Sequence, residues 1–180
     1  MTNVFLYGRS GSGKTILGAE IVKIKLSQMI ESKIDVRVIV TKYLAVSESD
    51  LLLQNLREKY FKNIDSQVLT FENLCYDLDI TFKARQPKDM INKVTVKLSQ
   101  MKENIILFVD ELFACHIYGQ ATPDWSDVTT ADNVVWILSV QPNGNSDKTI
   151  NLRPPVSDKV LSTKLVRGHR NCLEIRSVVI

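Results

Sequence analysis

Hydrophobic residues fall along this chain in two patterns that take turns. One is the short, nearly continuous apolar run: Val4-Phe5-Leu6-Tyr7, Asp35 to Thr41, Gln67 to Thr70, Asn104 to Val109 and Asn133 to Val140. Such runs, rich in Val, Ile and Phe, predict five strands, and continuous rather than alternating apolarity predicts strands buried on both faces. The other is an apolar residue every third or fourth position. It appears from Thr15 through Ile16, Leu17, Ile21, Val22 and Ile24, and again at Leu51, Leu52, Leu56 and Tyr60. It recurs from Glu72 to Leu78 and after Pro87, where Met90, Ile91, Val94, Leu98 and Met101 form one stripe. These stretches predict helices, with Ser47 and Asp50 capping the second and Pro87 opening the last. Strand and helix alternating in this way predict an α/β fold with a central, mostly parallel, five-stranded sheet flanked by helices.

The remaining stretches are irregular by composition. Tyr118 to Asp132 is polar around Trp125, Pro142-Asn143-Gly144-Asn145 is a turn, and Arg153-Pro154-Pro155 reads as an extended connector. A basic segment, Lys164 to Asn171, leads to a capped helix over Leu173 to Ile180. The expected organisation is therefore a main domain over 1–145, with 146–180 as a connector and extension.

A length of 180 residues suits one domain with a proper core, and 44% hydrophobic with 24% charged residues is ordinary globular composition. No apolar run nears the roughly 20 residues that span a bilayer. Met1-Thr2-Asn3 enters the first strand without a basic-then-apolar leader pattern. Cys75, Cys115 and Cys172 have neither disulfide-framework nor zinc spacing. An intracellular location, cytoplasm or nucleus, without membrane partners is expected. His116 and His169 also lack metal-ligand spacing and read as packing or surface residues. A net charge of +3 neither demands nor excludes nucleic acid.

The chemistry concentrates at two places. The first strand runs into Gly8-Arg9-Ser10-Gly11-Ser12-Gly13-Lys14-Thr15, which fits the phosphate-binding pattern G-x-x-x-x-G-K-[ST] between a strand and a helix. Glycines bring backbone N–H groups close to a phosphate chain, Lys14 adds charge near the β- and γ-phosphates, and the Thr15 hydroxyl can ligate Mg²⁺. The positive end of the following helix faces the same anion. The fourth run ends in Asp110-Glu111, two acids at the strand edge where open α/β sheets bind ligands. With the phosphate loop upstream, this is the Walker B pattern. Asp110 would hold Mg²⁺ and Glu111 would polarise a water aimed at the γ-phosphate. Ser139 and Gln141, ending the fifth run, are candidate γ-phosphate sensors.

The order of these motifs resembles superfamily 1 helicases of the Rep type and their relatives in the C-terminal region of Schlafen proteins. It covers nearly the whole chain but only the first of that family's two RecA-like domains. Val38-Ile39-Val40-Thr41 is similar to the family's strand ending in a threonine that touches single-stranded nucleic acid. Val68-Leu69-Thr70-Phe71-Glu72-Asn73-Leu74-Cys75 is similar to V-x-T-F-H-S-x-C, with Glu72 in place of the histidine. Leu165-Val166-Arg167-Gly168-His169-Arg170-Asn171 resembles L-x-x-N-Y-R-[SN], which makes Arg170 the position of a γ-phosphate arginine. Gln141 stands near the glutamine of G-D-x-x-Q, without the Gly-Asp. The resemblance implies a RecA-like P-loop NTPase fold that hydrolyses ATP with Mg²⁺. It also implies coupling to single-stranded DNA or RNA through Thr41 and Thr70, and a second RecA-like lobe that begins within 146–180. One lobe alone is not expected to separate strands.

Plainer readings stand beside these. Arg170 is either an arginine finger or one solvated basic residue among Lys164, Arg167 and Arg176. Thr41 and Thr70 either touch a polynucleotide or cap strand ends, and Phe71 reads as a core aromatic. The same two motifs also fit a nucleotide-dependent signalling switch that acts on a protein partner. They fit a small-molecule kinase less well, since a water-polarising glutamate suits hydrolysis.

Overall fold

The computed structural model describes residues 1–8, 13–43, 50–113, 124–141 and 152–166. Its elements in order are β1 (Asn3–Gly8), α1 (Lys14–Glu31), β2 (Val36–Lys42), α2 (Asp50–Tyr60), β3 (Ser66–Thr70), α3 (Phe71–Asp77) and α4 (Pro87–Ser99). Then come β4 (Asn104–Phe113), β5 (Val134–Gln141) and β6 (Val160–Leu165). The strands form one sheet in the order β3-β2-β4-β5-β1-β6, and every neighbouring pair is parallel.

Alternation along the strands divides the core into two layers. Val4, Leu6, Val38, Val40, Ile106, Phe108, Val135 and Ile137 face α1 and α2, meeting Leu17, Ile21, Val22 and Leu56. Phe5, Ile39, Ile105, Leu107, Val109, Trp136 and Leu138 face the other way, against Phe71 and Leu74 of α3 and Met90, Ile91, Val94 and Leu98 of α4. Each central strand is buried on both sides, as its unbroken apolar run requires. Gly18 lets α1 lie close on the sheet, because a Cβ there would run into the Phe108 ring. The expected stripe of α4 is buried. On α2 only Leu56 is, and Leu51 and Leu52 are exposed.

The sheet has six strands, not the expected five. No strand is expected over residues 160–165, whose last two open the basic segment, yet they pair with β1 from Asn3↔Val160 to Gly8↔Leu165. Only Val160 and Leu165 of β6 are buried, so this edge strand lacks the continuous apolarity that marks the others. Leu152 also belongs to the core. Among the described residues after 145, β6 and Leu152 thus join the same sheet and core as the strands before it. Trp125, from the polar stretch before β5, is buried with its ring centroid 5.4 Å from that of Phe5. The turn at Pro142, the Ser47 cap and the helix over 173–180 lie outside the described residues, as do Cys115, Cys172, His116 and His169. Among the described residues no helix is long and apolar enough to cross a membrane.

Lys25 gives the fold a measurable pH dependence. It is 3% exposed on α1, and burial lowers its pKa from 10.5 to about 8. Between pH 8 and 10.5 the unfolded chain holds this proton more firmly than the folded one, so this group makes stability rise with pH across that window. Below it, the folded state bears the cost of a desolvated ammonium. Lys25→Met is expected to stabilise the protein by about 1–3 kcal/mol at pH 7. The advantage should shrink by pH 10, as read from urea unfolding of parent and variant at both pH values.

Candidate functional site

A sheet of parallel strands gathers all its strand ends at one edge. Gly8, Lys42, Asp110 and Gln141, from β1, β2, β4 and β5, therefore reach the same side of the molecule. β5 lies between β1 and β4, so the end of β5 separates the strand that ends at Gly8 from the one that carries Asp110 and Glu111. A cavity of about 280 Å³ opens there. Gly13, Lys14, Thr15, Asp110, Glu111, Ser139 and Gln141 line it, together with Ile16 and Tyr60. Candidates named from three separate stretches of sequence thus share one wall.

The α1 side of the cavity begins at Gly13, whose φ of 88° is left-handed and whose carbonyl accepts from the Leu17 N–H at 3.0 Å. Glycine holds that backbone without a Cβ penalty. Lys14 follows, buried, its Nζ donating to the Gly8 carbonyl at 2.9 Å. Burial lowers its pKa to about 8, against the opposing pull of Asp110 and Glu111. The Thr15 hydroxyl donates to Asp110 Oδ1 at 2.9 Å and ties α1 to β4.

Glu111 needs a departure from regular strand geometry. In plain alternation Asp110 and Glu111 would point to opposite faces of the sheet. The β4–β5 pairing instead shifts between Val109↔Leu138 and Leu112↔Val140, so Asp110 and Glu111 together stand against Ser139. This is a β-bulge, which re-aims side chains. Glu111 takes a left-handed φ of 56°, a conformation that costs a non-glycine residue about 1 kcal/mol or more. The surrounding sheet maintains that strain, and both carboxylates line one cavity as a result.

The pair carries a partner that sequence reasoning did not name. Lys42 Nζ lies 3.3 Å from Asp110 Oδ2 and 3.5 Å from Glu111 Oε1. Asp110 is 1% exposed, and its Oδ2 accepts no hydrogen bond, the Lys42 ammonium being in ion-pair range but off the bonding direction. The Asp110 carboxylate and the Thr15 hydroxyl bound to it supply oxygens of the kind a hard cation takes, and a cation at Oδ2 would share that oxygen with the Lys42 ammonium. Mg²⁺ takes one or two protein oxygens and keeps several waters. Among the described residues no three His, Cys, Asp or Glu side chains cluster, so zinc-type ligation has no counterpart there.

Other predicted residues fall elsewhere. Thr41 is wholly buried, and its hydroxyl donates to the Phe108 carbonyl at 3.0 Å. Thr70 is also wholly buried and caps α3, accepting from the Asn73 N–H at 3.0 Å. Phe71 is a core residue, its ring centroid 5.2 Å from that of Tyr43. Both threonines are thus buried with their hydroxyls bonded to nearby backbone. Arg9, Ser10, Gly11, Ser12 and Arg170 lie outside the described residues. Compared with known proteins, the chain matches no family model, no curated protein and no solved structure.

Proposed function

We propose that the chain is a RecA-like P-loop NTPase domain that binds ATP with Mg²⁺ at the strand-end cavity and hydrolyses it. The observation that carries this reading is the convergence of Lys14, Thr15, Asp110 and Glu111 on one cavity, although Thr15 and Asp110 are 95 positions apart. Lys14 would meet the β- and γ-phosphate oxygens, where a polyanion favours its charged form. Thr15 and Asp110 would hold the Mg²⁺, which neutralises charge on the phosphates. Glu111 would accept a proton from the water that attacks the γ-phosphorus as the bond to the β,γ-bridging oxygen breaks, yielding ADP and inorganic phosphate. Ser139 and Gln141, which line the same cavity, would bond the γ-phosphate.

The burial of Thr41 and Thr70 supports a second reading of what that hydrolysis drives. The helicase-like reading couples it to single-stranded nucleic acid in a larger protein with a second lobe. A signalling switch needs neither threonine and answers to a protein partner instead. Phosphate release with and without Mg²⁺ tests the shared core, and adding single-stranded DNA or RNA separates the two couplings. Mg²⁺-dependent release that nucleic acid accelerates supports the motor. Release indifferent to it supports the switch, and no release in any condition contradicts both.

A further inference from the structure

The start of α1 and the end of β4 do not exhaust what surrounds Glu111, because β2 also sends a charge into the site. Lys42 ends β2, and strand pairing sets it directly opposite Asp110. Its side chain is 10% exposed, and its ammonium reaches a carboxylate oxygen of each acid, at 3.3 and 3.5 Å. The other Asp110 oxygen already takes the Thr15 hydroxyl. Asp110 is therefore fixed from two sides, whereas Glu111 has a side chain 36% exposed and a route into solvent. Adjacent carboxylates on one bulge repel each other, and an ammonium between them offsets that repulsion and sets their separation. An exposed lysine would do this poorly, because salt and side-chain entropy erode such pairs. Lys42 is held by burial.

We propose that Lys42 is a positioning residue for Glu111, tethering the glutamate to the fixed Asp110 carboxylate so that it stays at the cavity wall. The inference rests on the hydrolytic reading given above. It assigns Lys42 an effect on turnover without a matching effect on nucleotide affinity. A purely structural ion pair would affect both, or neither. Since displacing a reacting group by about 1 Å can cost on the order of 100-fold, loss of the tether should be visible in rate.

The test compares the parent with Lys42→Met and Lys42→Arg, measuring MgATP affinity and kcat, with thermal unfolding as the check on folding. Lys42→Met is expected to lower kcat by roughly 10- to 100-fold while the MgATP Kd moves less than about 3-fold. Lys42→Arg, which keeps the charge, should recover kcat to within about 5-fold of the parent. Should Lys42→Met fail to fold, Lys42→Gln, which removes the charge and keeps a polar end, decides in its place: loss of kcat without a matching loss of affinity supports the tether, and parent-like kcat overturns it. An active parent with Lys42→Met unimpaired overturns this inference and leaves the hydrolytic reading standing. So does equal loss of affinity and rate without rescue by arginine. A parent that binds and hydrolyses no nucleotide overturns both.

Discussion

Glu111→Gln is expected to keep MgATP affinity within about 3-fold of the parent while turnover falls by roughly 10²- to 10⁴-fold, the usual worth of a general base. Glutamine preserves the size of the side chain and the backbone that the β4 bulge imposes on Glu111. It removes the oxygen charge that would draw a proton from water. In the proposed site, binding would depend on groups across the cavity, at Lys14 and Thr15, which the change does not touch. Rapid-quench measurement of phosphate release beside equilibrium titration separates the two effects. Parent-like turnover in the variant would remove Glu111 from the chemistry.

Lys14→Ala is expected to act on the other side of that division and weaken MgATP binding by about 100-fold or more, or roughly 2.7 kcal/mol. An ammonium in a desolvated cavity contributes far more toward a polyanion than one at a free surface. Burial already holds the Lys14 pKa near 8, so in the absence of a phosphate partner its charge is expensive. A bound triphosphate would offset that expense. Isothermal titration checks the prediction, and a Kd within 3-fold of the parent would contradict it. Circular dichroism checks that the variant, which loses among other contacts the hydrogen bond to the Gly8 carbonyl, is folded.

The sequence made the core of the sheet and the chemistry of its edge readable for one physical reason. A strand buried on both faces must be apolar throughout, and a polar residue at its end then stands out. β1, β4 and β5 follow that rule, which is why Gly8, Asp110 and Gln141 could be placed toward strand ends from the sequence alone. β6 breaks it. Leu161, Ser162 and Thr163 are only half-buried and Lys164 is exposed, so the edge strand resembles a tail until its pairing with β1 is known.

Lys42 was hidden for a related reason. A lysine ending a strand ordinarily meets water, and only the register Lys42↔Asp110 between strands far apart in sequence turns it inward. The left-handed backbone of Glu111 has no signal in residue type, since glutamate does not favour that conformation; it follows from the bulge. Thr41 and Thr70 show the opposite limit. The sequence leaves them between a polynucleotide contact and a strand-end cap, because residue type alone does not show whether a hydroxyl there meets the demand of nearby backbone groups. Their bonds to Phe108 and Asn73 satisfy that local demand.

The most direct measurement replaces Mg²⁺ with Mn²⁺ and records electron paramagnetic resonance of the protein with ATP. A single triphosphate seated between Lys14 and Asp110 predicts protein-bound Mn²⁺ with phosphorus hyperfine coupling. That signal should weaken sharply in Asp110→Asn and vanish with the nucleotide in Lys14→Ala. An unchanged Mn²⁺ spectrum in both variants, or ATP bound with no metal beside its phosphates, would contradict the site.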